Sequence, residues 1–463
     1  MFASKTKTYN TSFSHTLESD ITVVGGGPGG IGAAIAAARM GASVILIEQY
    51  GALGGMGSIG LVGPFMTSFS ADGEVQVIRG IFDELVRRMA SFGGAIHPAY
   101  VAAGTAHSSF ITHGHSHVTP FDAEALKLVA AEMCLEAGVK LLLHSFLIDS
   151  CVNADNRVWG IIVANKSGLQ RIDAKVVIDA TGDGDVAFRG GAEMMRGRPS
   201  DGLMQPMTLF FRVGNVDTAK VQQWVHNHPE ERYLFSSLIE QARAVGDFTI
   251  PREKVGIYET PRPGEYRVNT TRIQHVDGTN IEDITKAEIE GRRQVFELMR
   301  FFHSYLPGFE NAILIDTATQ VGVRETRRIV GEYILTAEDL LESREFPDTI
   351  ALCAYPIDIH SPDGRGGVMG GTPKGNWYEI PYRILIPQRL DGLLVAGRCV
   401  SATHEAAGAI RVQPPAYAMG QAAGTAAALA VHLNCSPRAV PVDQLQHALI
   451  QAGAYLGPRY GQR

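Results

Sequence analysis

The stretch from Asp20 to Glu48, DITVVGGGPGGIGAAIAAARMGASVILIE, constrains this chain more than any other, because it reads as strand, glycine turn, helix and second strand in one line. The β-branched run from Ile21 to Val24 leads into Gly25, Gly27 and Gly30, which satisfy G-x-G-x-x-G, and a small Ala34 follows. The first glycine permits the tight turn, the second lets backbone approach a pyrophosphate, and the third lets the helix pack closely on the strand. Amides at the start of that helix, around Pro28 and Gly29, favour phosphate charge. The second strand, Ala42 to Ile47, ends at Glu48, 18 residues beyond Gly30, where a carboxylate accepts hydrogen bonds from ribose hydroxyls and repels a 2′-phosphate. A dinucleotide site is the expectation, and a glycine-rich turn inside an ordinary βαβ unit is the plainer alternative. Nothing in this stretch separates NAD from FAD.

Such a unit needs a larger body around it. At 463 residues the chain exceeds a single compact core, so two joined domains are expected. A content of 45% hydrophobic and 19% charged residues is that of a globular protein. The formal charge of −7, with no basic run interleaved with aromatics, argues against a nucleic-acid partner. Five scattered cysteines without a C-x-x-C suggest neither a disulfide framework nor a zinc or redox pair, and they fit a reducing cytoplasm. Residues 1–19, rich in Ser and Thr without an apolar core, read as a flexible tail rather than a signal peptide. The run from Ala422 to Leu433 is too short and too rich in alanine to span a bilayer.

After Glu48 and Gln49, the glycines Gly51, Gly54, Gly55, Gly57 and Gly60 make a loop able to lie flat against a ligand, with Met56 on it and Ser58 offering a hydroxyl. Val77, Ile81, Leu85 and Met89, spaced by four, mark one face of a helix over residues 75–92. The next loop carries His107, His113, His115 and His117. Its H-x-H-x-H would align three imidazoles if extended, but no carboxylate or cysteine joins them, so catalytic or exposed histidines are the commoner reading and no metal site is assigned.

Asp122 is suited to cap a helix that Gly138 stops. The strands VKLLLHSFLID, VWGIIVAN and AKVVIDATG then return the chain to the nucleotide-binding sheet, which puts Leu147 and Ile148 near the adenine end. Gly182, Gly184 and Ala187 repeat G-x-G-x-x-A, but no second apolar strand or acidic terminus follows, so a tight turn closing the first site is favoured over a second dinucleotide fold. From about Met207 to Leu385, the strands MTLFFRV and YRVNTTRIQ and a long amphipathic helix ended by Pro307 and Gly308 suggest an inserted domain over the cofactor. Its polar features are Arg272, Arg324, His360 and a glycine-rich loop from Asp363 to Gly371. Leu393 to Ala396 reads as a buried strand, and Gly397, Gly408 and Ala409 are small enough for backbone to lie against a ring system. Pro414 and Pro415 suit the first turn of a helix whose amino end directs positive partial charge into the site.

The motifs VVGGGPGGIGAA, LGGMGS, VVIDATGDGDVA, GVRETRRIVGEY and LLVAGRCVSATHEAAGAIRVQP together resemble the FAD-dependent oxidoreductases of the glutathione-reductase-like superfamily, nearest a bacterial group distantly related to fumarate-reductase flavoproteins. The resemblance implies an α/β fold, a Rossmann-like FAD-binding domain (GR2-type) with an inserted α+β substrate or cap domain. Residues 20–60, 118–206 and 386–440 would form the former, 61–117 and 207–385 the latter, and 441–463 a C-terminal extension. It implies FAD, with Gly25, Gly27, Pro28, Gly29, Gly30, Glu48 and Gln49 at the ADP half and Gly54, Gly55, Met56 and Ser58 at the pyrophosphate and ribityl region. Ala180, Thr181, Gly182 and Asp183 would close over the nucleotide, with Leu147 and Ile148 nearby. Gly397, Arg398, Ala409, Ile410 and Arg411 would sit beside the flavin, Arg398 standing where many relatives carry Asp.

The activity expected from this resemblance is hydride transfer between flavin N5 and a small organic substrate, a hydroxy, amino or enoate compound. His404 and His360 are the acid/base candidates, and Arg272, Arg324 and Arg411 are candidates to clamp a carboxylate or stabilise an enolate. The structural alternatives are an ion pair from an arginine of VRETRR to Glu325 or Glu332, and a His404 that only orients Glu405. A structural or regulatory flavin and a nicotinamide-dependent dehydrogenase are the alternative functions. The electron acceptor is not named by the sequence, and assembly of identical copies is compatible with it.

Overall fold

The protein is described from a computed structural model over residues 12–112, 114–371 and 373–462. The apolar run that ends β1 (His15–Val24) is fully buried, as a central parallel strand flanked by helices must be. The strand starts well ahead of that run, because pairing with a later strand, from His15 opposite Gln170 to Ser19 opposite Ala174, extends it, so residues 15–19 of the expected tail are strand. Residues 1–11 of that tail lie outside the described residues. Pro in the first turn opens α1 (Pro28–Arg39), and β2 (Val44–Ile47) follows. Ile81, Leu85 and Met89 form the buried face of α2 (Ile81–Ala90), while Val77 is buried in irregular chain, since Gly80 at φ +63° stops the helix from reaching back.

The Asp122 side chain accepts from the Glu124 N–H at 2.8 Å and caps α3 (Ala123–Glu136). The single strand expected over VKLLLHSFLID divides into β3 (Lys140–Leu142) and β4 (Phe146–Val152), because His144 sits at φ +51°. β5 (Val158–Asn165) and β6 (Gly168–Asp179) complete a meander. β1, β2, β3 and β6 pair in parallel, whereas β4, β5 and β6 pair antiparallel. The order is β3-β2-β1-β6-β5-β4, and a later strand pairs parallel with the far half of β6.

The G-x-G-x-x-A turn leads into α4 (Asp185–Arg189), only five residues long, then β7 (Met194–Arg196). A second sheet, in the order β11-β8-β10-β9, is built from β8 (Phe211–Gly214), β9 (Ile257–Glu259), β10 (Tyr266–Val268) and β11 (Ile313–Thr317). With it go α5 (Thr218–Asn227), α6 (Ser236–Val245) and the long α7 (Ile281–Tyr305). Its own hydrophobic core runs from Met207 to Val323, with Leu61, Ala106 and Ala123 joining from the first half of the chain.

Residues beyond Val323 return to the first core. β12 (Arg327–Ile329) pairs with β7, α8 (Ala337–Leu341) follows, and β13 (Thr349–Cys353) pairs with β16 (Tyr378–Pro381). β14 (Ile357–His360) pairs with β15 (Gly367–Gly370), so part of the expected glycine-rich loop is a hairpin strand. Ile350, Leu352, Tyr378 and Ile380 pack in the core of the nucleotide sheet, as do Phe82 and Leu85 of α2, although both regions read as cap from the sequence. β17 (Leu393–Val395) is the strand that pairs with β6, and it leads to α9 (His404–Ile410), α10 (Gln413–His432) and α11 (Val442–Gln451).

α1 and α10 meet backbone to backbone. A Cβ at Gly420 would lie 2.0 Å from the Gly29 carbonyl oxygen, and one at Gly424 would lie 2.1 Å from that of Ala33. The small residues of both helices therefore bring the amino ends of α1 and α10 to one cavity. No helix among the described residues is long and apolar enough to cross a membrane.

Candidate functional site

A single cavity of about 1280 Å³ runs from the glycine turn to the start of α10. That exceeds the roughly 300–1,000 Å³ usual for a drug-sized ligand and leaves room for an extended dinucleotide and a second molecule. Gly25, Gly27, Pro28, Gly29, Glu48, Gln49, Gly55, Met56, Leu147, Ala180, Thr181, Gly182, Asp183, Gly397, Arg398 and Arg411 all line it. A Cβ on Gly27 would meet nothing but the Gly55 Cα at 3.9 Å, and one on Gly397 would meet nothing within 4 Å, so both backbones face open space shaped for a ligand. Glu48 accepts from the Gly26 N–H at 2.6 Å and the Tyr50 N–H at 2.9 Å, while burial pushes its carboxyl up. Each oxygen keeps a lone pair for a hydroxyl donor. These residues fit FAD.

Asp179, at the end of β6, accepts from the Thr181 N–H at 3.1 Å, the Thr181 hydroxyl at 2.7 Å and the Ala187 N–H at 2.9 Å, which folds the second glycine turn against the cavity. Arg398 donates to Asp183 at 2.7 Å and lies 3.3 Å from the Thr326 hydroxyl. Burial, with Asp183 and Asp179 close by, pushes the neighbouring Asp185 carboxyl up to about 6, and Arg327 pairs with it.

Another part of the cavity is strongly polar. Arg252 and Lys254 come from the chain entering β9 and Tyr258 from β9 itself, Asn269 follows β10, Arg324 precedes β12, Asp358 and His360 lie on β14, and Arg411 ends α9. Asp358 Oδ2 is 3.4 Å from His360 Nε2 and 3.4 Å from Arg411 Nη2, and it accepts from the Tyr355 hydroxyl at 3.3 Å. Burial pushes the Asp358 carboxyl up, but His360 and Arg411 outweigh it and hold the group well below its usual range. Arg252 donates to His360 Nδ1 at 3.1 Å, so Nδ1 is the unprotonated nitrogen and both ring nitrogens are engaged. Burial and then Arg324 push the His360 ring well below its usual value.

Arg324 donates to the Pro206 carbonyl at 2.6 Å, the Thr208 hydroxyl at 2.8 Å and Asn269 Oδ1 at 3.2 Å, with no carboxylate among these partners. Burial, then Arg411 and Arg252, push its guanidinium far down. Lys254 is likewise lowered by burial and by Arg252.

Several expected residues lie elsewhere. Gly30 sits beneath the turn, where a Cβ would fall 1.7 Å from the Gly25 oxygen, so its contribution is close packing. Gly54 does not line the cavity, and the Ser58 hydroxyl donates to the Leu53 carbonyl at 2.7 Å instead of facing a ligand. Ile148 is 41% exposed on the outer side of β4, since strand alternation turns it away from Leu147. Ala409 and Ile410 are buried inside α9, and Arg411, Val412 and Gln413 reach the cavity in their place.

His404 is also outside. Its Nδ1 lies 2.9 Å from Glu325 Oε1, which pairs with Arg328, so this histidine belongs to a buried ion network that includes the VRETRR motif. Burial pushes the Glu325 carboxyl up, and the His404 hydrogen bond and Arg328 charge more than offset it. Glu332 pairs with Arg438. Arg272 donates to the Ser361 and Gly366 carbonyls at 2.8 and 2.6 Å, holding the β14–β15 hairpin from behind; burial brings it down to about 10.

Of the described histidines of this loop, His115 alone lines the cavity, while His107 contacts the Glu259 carbonyl at 2.9 Å and His117 the Pro98 carbonyl at 3.0 Å. The rings diverge because the loop is not extended, and His117 sits at φ +51°. His113 lies outside the described residues. Among the described residues no group of three His, Cys, Asp or Glu is placed to hold a metal ion. Sequence reasoning missed Arg252, Lys254, Tyr258, Tyr355 and Asp358. The available signal was two-residue spacing, Arg252 with Lys254 and Asp358 with His360, which puts charged groups on one face of extended chain.

A family model described as FAD dependent oxidoreductase matches residues 20–449. The chain belongs to this family. It is therefore an FAD-dependent enzyme, with the Rossmann-type architecture seen above. A thiamine thiazole synthase from Pyrococcus abyssi (strain GE5 / Orsay) is 30% identical over 186 residues, which span 38% of this chain and 63% of that protein. Among solved structures, a geranylgeranyl bacteriochlorophyll reductase-like protein from Thermoplasma acidophilum is 16% identical with a TM-score of 0.43, covering 95% of this chain and 85% of the other. A p-nitrophenol 4-monooxygenase from Pseudomonas putida DLL-E4 is 12% identical with a TM-score of 0.47, again covering 95% and 85%.

Proposed function

We propose that this family member transfers a hydride between its flavin and a small organic anion, a carboxylate-bearing hydroxy, amino or enoate compound. The supporting observation is the convergence of Arg252, Lys254, Arg324 and Arg411 on a part of the cavity where Asp358 is the carboxylate that faces them. Buried cations depress one another, and a bound carboxylate would relieve that cost. FAD, when bound, supplies a ring nitrogen able to accept or release hydride.

Arg324 and Arg411 are the residues to hold the carboxylate, since Pro206, Thr208, Asn269 and Asp358 fix their planes. Asp358 and His360 are positioning residues that brace Arg411 and Arg252. Lys254, lowered by burial and by Arg252 and without a hydrogen-bond partner among the described residues, is the group to take or give the proton at Nζ. Burial pushes the Tyr258 hydroxyl up, so it stays protonated and donates.

Anaerobic mixing of the holoenzyme with 2-hydroxy acids, amino acids and enoates, each beside its methyl ester, tests this. The acids are expected to change the visible flavin band and the esters to leave it. Esters that react as well as their acids would remove the anion from the reading.

A further inference from the structure

Beyond the cations the cavity has an arm that anion binding leaves unexplained. Phe110, Ile111, Trp224, Tyr233 and Leu234 line it, all half-buried, and His228, Glu231 and Arg232 of the same segment also reach the cavity. Two hydrogen bonds fasten this arm to the cationic segment. Ser109 Oγ accepts from the Ile257 N–H at 3.2 Å, and the Leu234 carbonyl accepts from the Val255 N–H at 3.2 Å. The chain that carries Arg252, Lys254 and Tyr258 is therefore tied to both segments that supply these side chains. The Tyr233 ring centroid lies 5.7 Å from the Lys254 ammonium, which links wall and cation cluster directly.

Backbone conformation supplies a second, independent sign. Ser109 and Phe110 both sit at φ +58°, and Phe235, adjoining Leu234, at φ +60°. Side-chain-bearing residues adopt this region reluctantly, and such strain persists where the surroundings over-determine it, often at ligand clamps. Here the Phe110 N–H donates to the Thr105 carbonyl at 2.9 Å and the Ser109 hydroxyl is engaged by Ile257, so the strained turn is held with Phe110 on the cavity wall. Trp224, also on the lining, is held by ring contacts, its centroid lying 4.3 Å from that of His228 and 4.6 Å from that of Phe235.

We propose that this arm receives an apolar, aryl-bearing end of the substrate, so that the preferred substrate class is an arylalkyl carboxylate rather than a short hydroxy acid. The inference rests on the anion reading for one end of the molecule and on Phe110, Trp224 and Tyr233 for the other. Phe110 and Tyr233 are then specificity-determining residues.

Titrating the holoprotein with butyrate, 4-phenylbutyrate and 4-phenylbutyramide, read by flavin difference spectra and by calorimetry, measures binding without turnover. 4-Phenylbutyrate is expected to bind at least about tenfold tighter than butyrate, a preference that falls below about threefold in Phe110→Ala and in Tyr233→Ala. The second variant, on a loop, guards against misfolding of the first. Equal binding of the two carboxylates, or a preference that survives both substitutions, would overturn the arm while leaving the anion site standing. Equal binding of the amide and 4-phenylbutyrate would instead remove the anion reading, and binding by none of the three would overturn both.

Discussion

His115 shows how one side chain ties this site to solution conditions. Burial, with Lys254 nearby, pushes its ring down to about 4 from the usual 6.5, so the native state holds it neutral while the unfolded chain protonates it first. Between those values the unfolded state binds more protons, so stability falls as pH drops from about 6.5 towards 4, by up to about 3 kcal/mol from this group. Urea unfolding of wild type and His115→Gln at pH 7 and pH 4.5 should show the variant losing less on acidification; parallel losses would contradict a buried neutral ring. Gly27 poses a separate residue-level question. At φ −78° and ψ −173° its backbone suits any residue, and an added methyl would enter only the cavity. Gly27→Ala should leave the apoprotein melting temperature unchanged and weaken FAD binding at least about tenfold, as overfilling a packed site does. Unchanged affinity in a fluorescence titration would mean the pyrophosphate lies elsewhere.

At the scale of elements, the α1–α10 crossing decides where the cavity sits. In an ordinary helix, replacing glycine by alanine gains about 1 kcal/mol of propensity. At Gly424 the new Cβ would lie 2.1 Å from a backbone oxygen of α1, which cannot rotate away, so overpacking of about 1–3 kcal/mol or more should win. Gly424→Ala is thus expected to lower urea-unfolding stability, and a stabilised variant would show that the helices can separate freely. The same contrast explains what was legible beforehand. The βαβ unit, Glu48 and the Pro-started α10 announce themselves through local spacing, and the structure places them around one cavity. Ser58, Ile148 and His404 were drawn in by nearness in sequence to glycine turns and strands, whereas their directions are set by Leu53, by strand alternation and by Glu325. Arg252, Lys254 and Asp358 went unseen because segments far apart in the chain bring them together. Local pattern carries little trace of such convergence.

Over the whole molecule, two hydrophobic cores face one another across the cavity. One surrounds the nucleotide sheet and the other surrounds the four-stranded sheet. The first supplies the glycine turns and Glu48, and the second the segments that bear Arg252, Lys254, Tyr258 and Asn269. Arg324 and β14 lie where the chain passes back from the second core to the first, so an anion held there spans the two. The most direct test is the flavin difference spectrum of wild type and Arg324→Met holoprotein titrated with a carboxylate such as 4-phenylbutyrate. A saturable perturbation in wild type is expected, weakened at least about tenfold in the variant at unchanged FAD content, the cost of removing one partner of a buried charged contact. An identical titration curve in both proteins would contradict an anion site at Arg324 beside the flavin.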